Sequence, residues 1–275
     1  MSARDCLEVR LPMYDWPEVR PATAKLEKAL GKALAGRLGL APERLKPWPV
    51  GMDLGEAWTR SDLLLTQTCG YPLTHGLRGK VRLVGAPHYS APDCEGVSYR
   101  SRIVVRKDSR FRNLEDLRGS RAVFNSLDSQ SGMNAFRHAI APFAGGKPFF
   151  GRVMATGSHR ASASAVVAGD ADVACIDCVC WQLICNEVPG LADHLDAIAA
   201  TAAVPGLPLI TSLRFSVADE AAIAETVEEV FSAPETRKSR ERLGIRGFSR
   251  LFFEDYAAIP AMEDEAVSQG YPDLL

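Results

Sequence analysis

The chain has 275 residues, 47% hydrophobic and 24% charged, a composition that excludes a disordered or low-complexity polymer and leaves room for two lobes. Its net charge of −2 offers no basic surface to nucleic acid or anionic lipid. No run of about 18 apolar residues suggests membrane insertion. Leu7 to Met13 reads as a first strand, ending at Tyr14-Asp-Trp16. Pro17 opens a helix, with Leu26, Leu30, Leu34 and Leu38 on its buried face and Gly39 at its end. A short strand near Trp48–Val50 and a helix start at Asp53 follow. Asp62–Gln67 reads as a buried strand leading into Gln67-Thr-Cys-Gly-Tyr71-Pro72, and Val81–Ala86 as another.

Tyr99–Lys107 is a strand of β-branched residues, and Asn113–Leu117 a helical turn. Arg121–Phe124 is a short apolar strand. Beyond it lies the hydroxyl-rich turn Asn125-Ser-Leu-Asp-Ser-Gln-Ser-Gly132, then a helix with Met133, Phe136 and Ile140 at core spacing. Such a helix start presents unpaired N–H groups and a positive dipole end. Ser129, Gln130 and Ser131 add side-chain donors, and Gly132 admits close approach to the backbone. The stretch therefore reads as an anion cradle or, on its bland alternative, as a capped helix. The pattern repeats: Gly151–Thr156 is a strand, Gly157-Ser158-His159-Arg160 a turn, and Ala161–Ala168 a helix closed by Gly169. Val173–Ile176 is a strand ending at Asp177, with Cys178–Asn186 helical. Three strand ends thus carry Ser129–Ser131, Ser158 with His159, and Asp177, where open α/β sheets bind ligands. Asp177 also suits a helix cap.

Ile198–Ala203 and Leu209–Leu213 read as strands; Ala218–Ser232, Glu235–Leu243 and Phe252–Asp264 read as helices. The alternation argues for α/β with parallel strands. Seven cysteines, four of them between Cys175 and Cys185, include one C-x-x-C spacing. Cys175 lies in an apolar strand with no second knuckle, so buried thiols rather than a metal site are expected. Free thiols and the lack of an apolar signal core in Met1–Arg10 suggest a reducing cytoplasm, or a periplasm if a signal had been removed. No disulfide-linked pairs are expected on that basis. Arg100 and Arg102 are expected to project into solvent.

The run Asp116-Leu-Arg-Gly-Ser-Arg-Ala-Val-Phe-Asn-Ser126, with Ser129-Gln-Ser-Gly132, Gly157-Ser-His159 and Gly169-Asp-Ala-Asp-Val-Ala-Cys-Ile-Asp177, resembles the substrate-binding proteins of phosphate/phosphite/phosphonate ABC transporters. The resemblance is clear over residues 99–186 and weaker at Leu7–Trp16 and Gln67–Pro72. It implies a two-lobed type II periplasmic-binding-protein fold with two interlobe crossovers, Tyr99–Arg106 and Leu209–Leu213. Residues 1–100 plus 213–275 would form one lobe and 101–212 the other. It further implies that Ser129, Gln130 and Ser131 hold the anionic head, with His159, Ser158 and Asp177 beside them. Tyr14, Trp16 and Tyr71 of the first lobe are the candidate cleft aromatics. Gln130 departs from the Thr or Ser often found at its position.

Non-covalent binding of a small oxyanion for transport or sensing is thus the expected function, with an ABC-transporter permease or a regulatory protein as partner. The alternative is a cytoplasmic enzyme of the same fold, a lyase of the kind found in a menaquinone pathway, acting on a carboxylate through His159 or Asp177. No triad spacing, phosphate loop or HExxH helix is present, so neither cofactor nor metal is expected.

Overall fold

The computed structural model describes residues 5–274; residues 1–4 of the N-terminal stretch read above lie outside that range. The chain starts with β1 (Cys6–Leu7), a 3-10 turn at Pro12–Tyr14 and α1 (Arg20–Arg37). β2 (Leu45–Lys46), α2 (Leu54–Trp58), β3 (Thr66–Gln67), α3 (Gly70–His75) and β4 (Val81–Tyr89) follow. β5 (Ser98–Tyr99) and β6 (Ser101–Arg106) lead to β7 (Arg121–Phe124), and a π-helical turn at Gln130–Asn134 runs into α4 (Ala135–Ala144). Next come β8 (Arg152–Ala155), α5 (His159–Ala168), β9 (Val173–Asp177), α6 (Cys178–Glu187), α7 (Pro189–Ala192) and β10 (Leu195–Ala200). β11 (Val204–Pro205), β12 (Leu209–Ser212), α8 (Val217–Ser232), α9 (Arg237–Leu243), β13 (Ile245–Ser249) and α10 (Ala258–Ser268) complete the chain.

The chain divides into two compact units. The first comprises residues up to 90, 95–97 and 205–255. Its four-stranded sheet has the order β13-β4-β12-β3, and every neighbouring pair is antiparallel. The parallel pattern expected from the sequence survives between β3 and β4, which are joined by α3. It is hidden because β12, returning from the other unit, inserts between them in the opposite direction. α1 buries Leu26, Leu30 and Leu34, and α8 buries Ile223, Val227 and Phe231, in one cluster with Leu64, Leu65, Val84 and Leu209. α8 starts with a capping box in which Ser216 and Asp219 each satisfy the other's backbone N–H. At Gly85, a Cβ would come within 2.2 Å of the Ser249 carbonyl oxygen. The glycine therefore permits the close approach of β13 to β4, a strand the sequence reading did not anticipate.

The second unit comprises residues 91–94, 98–204 and 256–275. Its sheet runs β10-β6-β9-β7-β8. β7 is parallel to both β8 and β9, whereas β6 is antiparallel to β9 and β10. Val173 to Asp177 is buried throughout, the continuous run expected of a strand covered on both faces. Beyond the passages near residues 90–98 and 204–205, the chain changes unit again between residues 255 and 256. Residues 213–275 were expected to stay together, but α10 packs with α4. Asn134 Nδ2 donates to the Ile259 carbonyl at 3.0 Å, Arg137 to the Pro272 carbonyl at 2.7 Å, and Arg137 pairs with Glu263 at 3.0 Å. Ile259, Met262 and Ala266 are the buried face. This apolar stripe has its complement on α4, which sequence order does not reveal.

Candidate functional site

The second unit carries the predicted cradle. β7 delivers the chain to Asn125, and Ser129, extended at φ −90° and ψ 127°, caps the next element by accepting from Gly132 N–H at 2.9 Å. The first turn is π-helical rather than α-helical, a widening found mostly as single turns inside helices. Met133 and Asn134 N–H both donate to the Ser129 carbonyl, at 3.2 and 3.0 Å. No described backbone bond starts from the Ser131 N–H, which is left as one of the unpaired donors of a helix start. Gly132 does admit a close neighbour: the Asn125 side chain, whose Oδ1 lies 1.8 Å from where a Cβ would stand. That oxygen is buried with no hydrogen-bond partner. Asn125 was not singled out in the sequence, although its place just past an apolar strand is a usable signal.

Ser131 and His159 come together. Ser131 Oγ lies 3.0 Å from His159 Nε2, and the Ser131 carbonyl accepts from the Cys175 thiol at 3.1 Å. Three elements therefore fix one serine: the π-helical turn, the first residue of α5 and β9. Ser129, Ser131 and His159 are 2%, 5% and 9% exposed. Burial pushes His159 down from 6.5 to about 4, with the Cys175 backbone offsetting part of that effect. The ring is neutral at pH 7, so one nitrogen donates and the other accepts.

The other predicted residues are engaged differently. Gln130 is fully buried; its Oε1 accepts from Asn134 Nδ2 at 2.7 Å and its Nε2 donates to Met262 Sδ at 3.4 Å. Its side chain thus bonds within the turn and to α10. Asp177, 1% exposed, accepts from Val179 and Cys180 N–H at 2.7 and 3.1 Å, the capping role that its position before α6 allowed. Ser158 is exposed and caps α5 by accepting from Ala161 N–H at 3.1 Å. It borders a recess of about 550 Å³ along α5 with Arg160 and Asp170. Arg102 pairs with Asp93 instead of projecting free, while Arg100 is exposed.

The candidate aromatics lie in the first unit. Tyr14, 8% exposed, meets Tyr89 edge to face at 5.1 Å, and the Tyr89 hydroxyl accepts from Gln67 Nε2 at 3.1 Å. Trp16 is half-buried, and its carbonyl receives the Val19 and Arg20 N–H groups ahead of α1. Tyr71 stacks on His75 with ring centres 3.8 Å apart. Tyr89 and His75 were not among the sequence candidates. Thr68, at the end of β3, has a buried hydroxyl without a partner. Among the described residues no cluster of three His, Cys, Asp or Glu side chains suits a metal ion, and no helix is long and apolar enough to cross a membrane.

Comparison with known proteins adds the family. The family described as ABC transporter, phosphonate, periplasmic substrate-binding protein matches residues 60–256. A search of curated protein sequences finds no match. Among solved structures, the chain is similar to PhnD1 from Prochlorococcus marinus (MIT 9301) in complex with methylphosphonate. The two are 15% identical, with 96% of this chain and 98% of that one covered and a TM-score of 0.72. It is similar to a binding protein component of an ABC phosphonate transporter from Pseudomonas aeruginosa, 15% identical over 97% and 88% of the two chains, with a TM-score of 0.73. It is also similar to a Xanthomonas citri protein bound to ATP, at 16% identity over 98% of each chain and a TM-score of 0.71. At these identities the structures show a shared fold, a two-lobed α/β architecture, and the match over residues 60–256 shows the family: this chain belongs to the periplasmic substrate-binding proteins of phosphonate ABC transporters.

Proposed function

We propose that the helix start at Ser129–Gly132 binds the oxyanion head of a phosphonate-like ligand, which the protein delivers to an ABC-transporter permease. The observation that carries this is the Ser131 group: an unpaired N–H at a helix start and a hydroxyl 3.0 Å from the neutral ring of His159. A helix start favours an anion through its N–H groups and its dipole. A neutral imidazole can orient the hydroxyl without adding a second charge. Ser129 serves as the cap that holds this turn, and the buried Asn125 amide supplies a further polar group beside Gly132. Tyr14, Trp16 and Tyr71 are proposed to contact the organic part of the ligand, in keeping with the family resemblance.

The enzyme alternative fares worse on electrostatics. A general base acts best with a pKa near the working pH, and His159 at about 4 is far below it. Asp177 is engaged by two backbone N–H groups. As for compartment, the family description favours the periplasm over the cytoplasm that the cysteines first suggested, and we adopt the periplasm as the working location.

The test is calorimetric titration of the full chain with methylphosphonate, phosphite, phosphate and small carboxylates. Binding of at least one phosphorus oxyanion, weakened by about 1–3 kcal/mol in Ser131→Ala, is the expected result. Binding of carboxylates alone, or unchanged phosphonate affinity in Ser131→Ala, would refute the assignment.

A further inference from the structure

All seven cysteines are thiols in the structure, and Cys6, Cys175 and Cys180 are among the buried ones. Cys175 and Cys180 are fully or nearly fully buried, and Cys6 lies against Arg214. Cys94 and Cys178 differ, because their sulfur atoms stand 3.4 Å apart. Both belong to the second unit, yet 84 positions separate them in sequence. Cys178 opens α6 directly behind the Asp177 cap and is 1% exposed. Cys94 ends the four-residue segment 91–94, which joins this unit just before the chain leaves it again at 95–97; it is half-buried. The segment is held in one geometry. Asp93 adopts φ +76°, a left-handed conformation uncommon outside glycine, and pairs with Arg102 of β6.

We propose that Cys94 and Cys178 form a disulfide by exchange with an external disulfide, either a small-molecule disulfide or the oxidised dithiol of a partner oxidase. A bonded pair needs sulfurs about 2.0 Å apart, against the 3.4 Å of the reduced contact. The half-exposed Cys94 reacts first. Its thiolate attacks one sulfur of R–S–S–R, a Cys94–S–S–R bond forms, and RS⁻ leaves and takes up the proton that Cys94 released. Cys178 Sγ then attacks Cys94 Sγ; the bond to R breaks, and the second R–SH departs with the proton of Cys178. Two thiols lose two electrons in all, and one external disulfide becomes two thiols. The order follows from the surroundings of the two sulfurs. The hydrogen bond to Cys94 and burial push the Cys178 thiol up, so Cys178 is the resolving partner and not the initial nucleophile.

The experiment uses the full folded chain incubated with oxidised glutathione. Mass spectrometry should count a fall from seven free thiols to five, peptide mapping should join Cys94 to Cys178, and Tm should rise by about 5–10 °C over the reduced protein. Cys178→Ser should stop at a glutathione adduct on Cys94, and Cys94→Ser should form no internal disulfide. Cys185→Ser, which removes an exposed thiol of α6, should leave the crosslink intact. Seven thiols persisting in the folded wild type, or a crosslink mapping to any other pair, would overturn the proposal. The wild-type readout stands even where a serine variant folds poorly.

Discussion

Acid should weaken this protein through one histidine more than through any other single imidazole. His159 holds its proton only below about pH 4 in the folded chain, against 6.5 ordinarily. The unfolded chain therefore binds that proton first as pH falls. Stability from this group is complete above about 6.5, is lost between about 6.5 and 4, and levels off below. Two and a half pH units at about 1.4 kcal/mol each give roughly 3.5 kcal/mol in full, of which about 2 kcal/mol is gone by pH 5. His159→Gln keeps an amide able to reach Ser131 and removes the titration. Urea melts of both proteins at half-unit steps from pH 7.5 to 4 should show the wild type losing about 2 kcal/mol more than the variant by pH 5. The carboxylates that shift in the folded state, Asp62, Asp108 and Asp172 downward and Glu27 upward, are common to both proteins and cancel in the difference. Parallel curves for the two would show that the ring is not buried as described, and the account of Ser131 as oriented by a neutral imidazole would fall with it.

Gly132→Ala should destabilise by about 1–3 kcal/mol, because its Cβ would collide with Asn125 Oδ1; adding Asn125→Ala should restore most of that, and additive losses in thermal melts would rule out the collision. Gly85→Ala should cost more, since the atom in the way is the Ser249 backbone oxygen; soluble protein with wild-type Tm would show that β13 does not approach β4 as described. Asn134→Ala removes the donor to the Ile259 carbonyl and the acceptor of an Arg137 hydrogen bond, leaving buried groups unpaired at about 1–3 kcal/mol each; faster proteolysis near residue 257 is the expected sign, and an unchanged cleavage rate would count against it.

Much of the fold could be read from spacing. Leu26, Leu30 and Leu34 mark α1, and the amphipathic run Ala218–Ser232 marks α8 to within a residue of its start, because helix periodicity is a local signal. β13 was missed because it is only five residues long, a bulge between Ile245 and Gly247 breaks its alternation, and its pairing with β4 is long-range. In the site, Ser131 and His159 were legible as residues at consecutive strand ends. The bond from Gln130 to Met262 was not, because the two lie 132 positions apart. Asp177 had two readings in the sequence, and the cap is the one its carboxylate makes. The unit joined by α10 was similarly hidden, since an amphipathic helix does not name its partner.

The placement of α10 bears on biosynthesis. The Gln130–Asn134 turn bonds to Met262 and Ile259, among the last residues to leave the ribosome. The first unit also waits for residues 205–255. Neither half can finish its core while the C-terminal third is still being translated, so the nascent chain remains open until synthesis ends. The turn that carries Ser131 is therefore completed only once the last stretch of chain is free to fold back onto it.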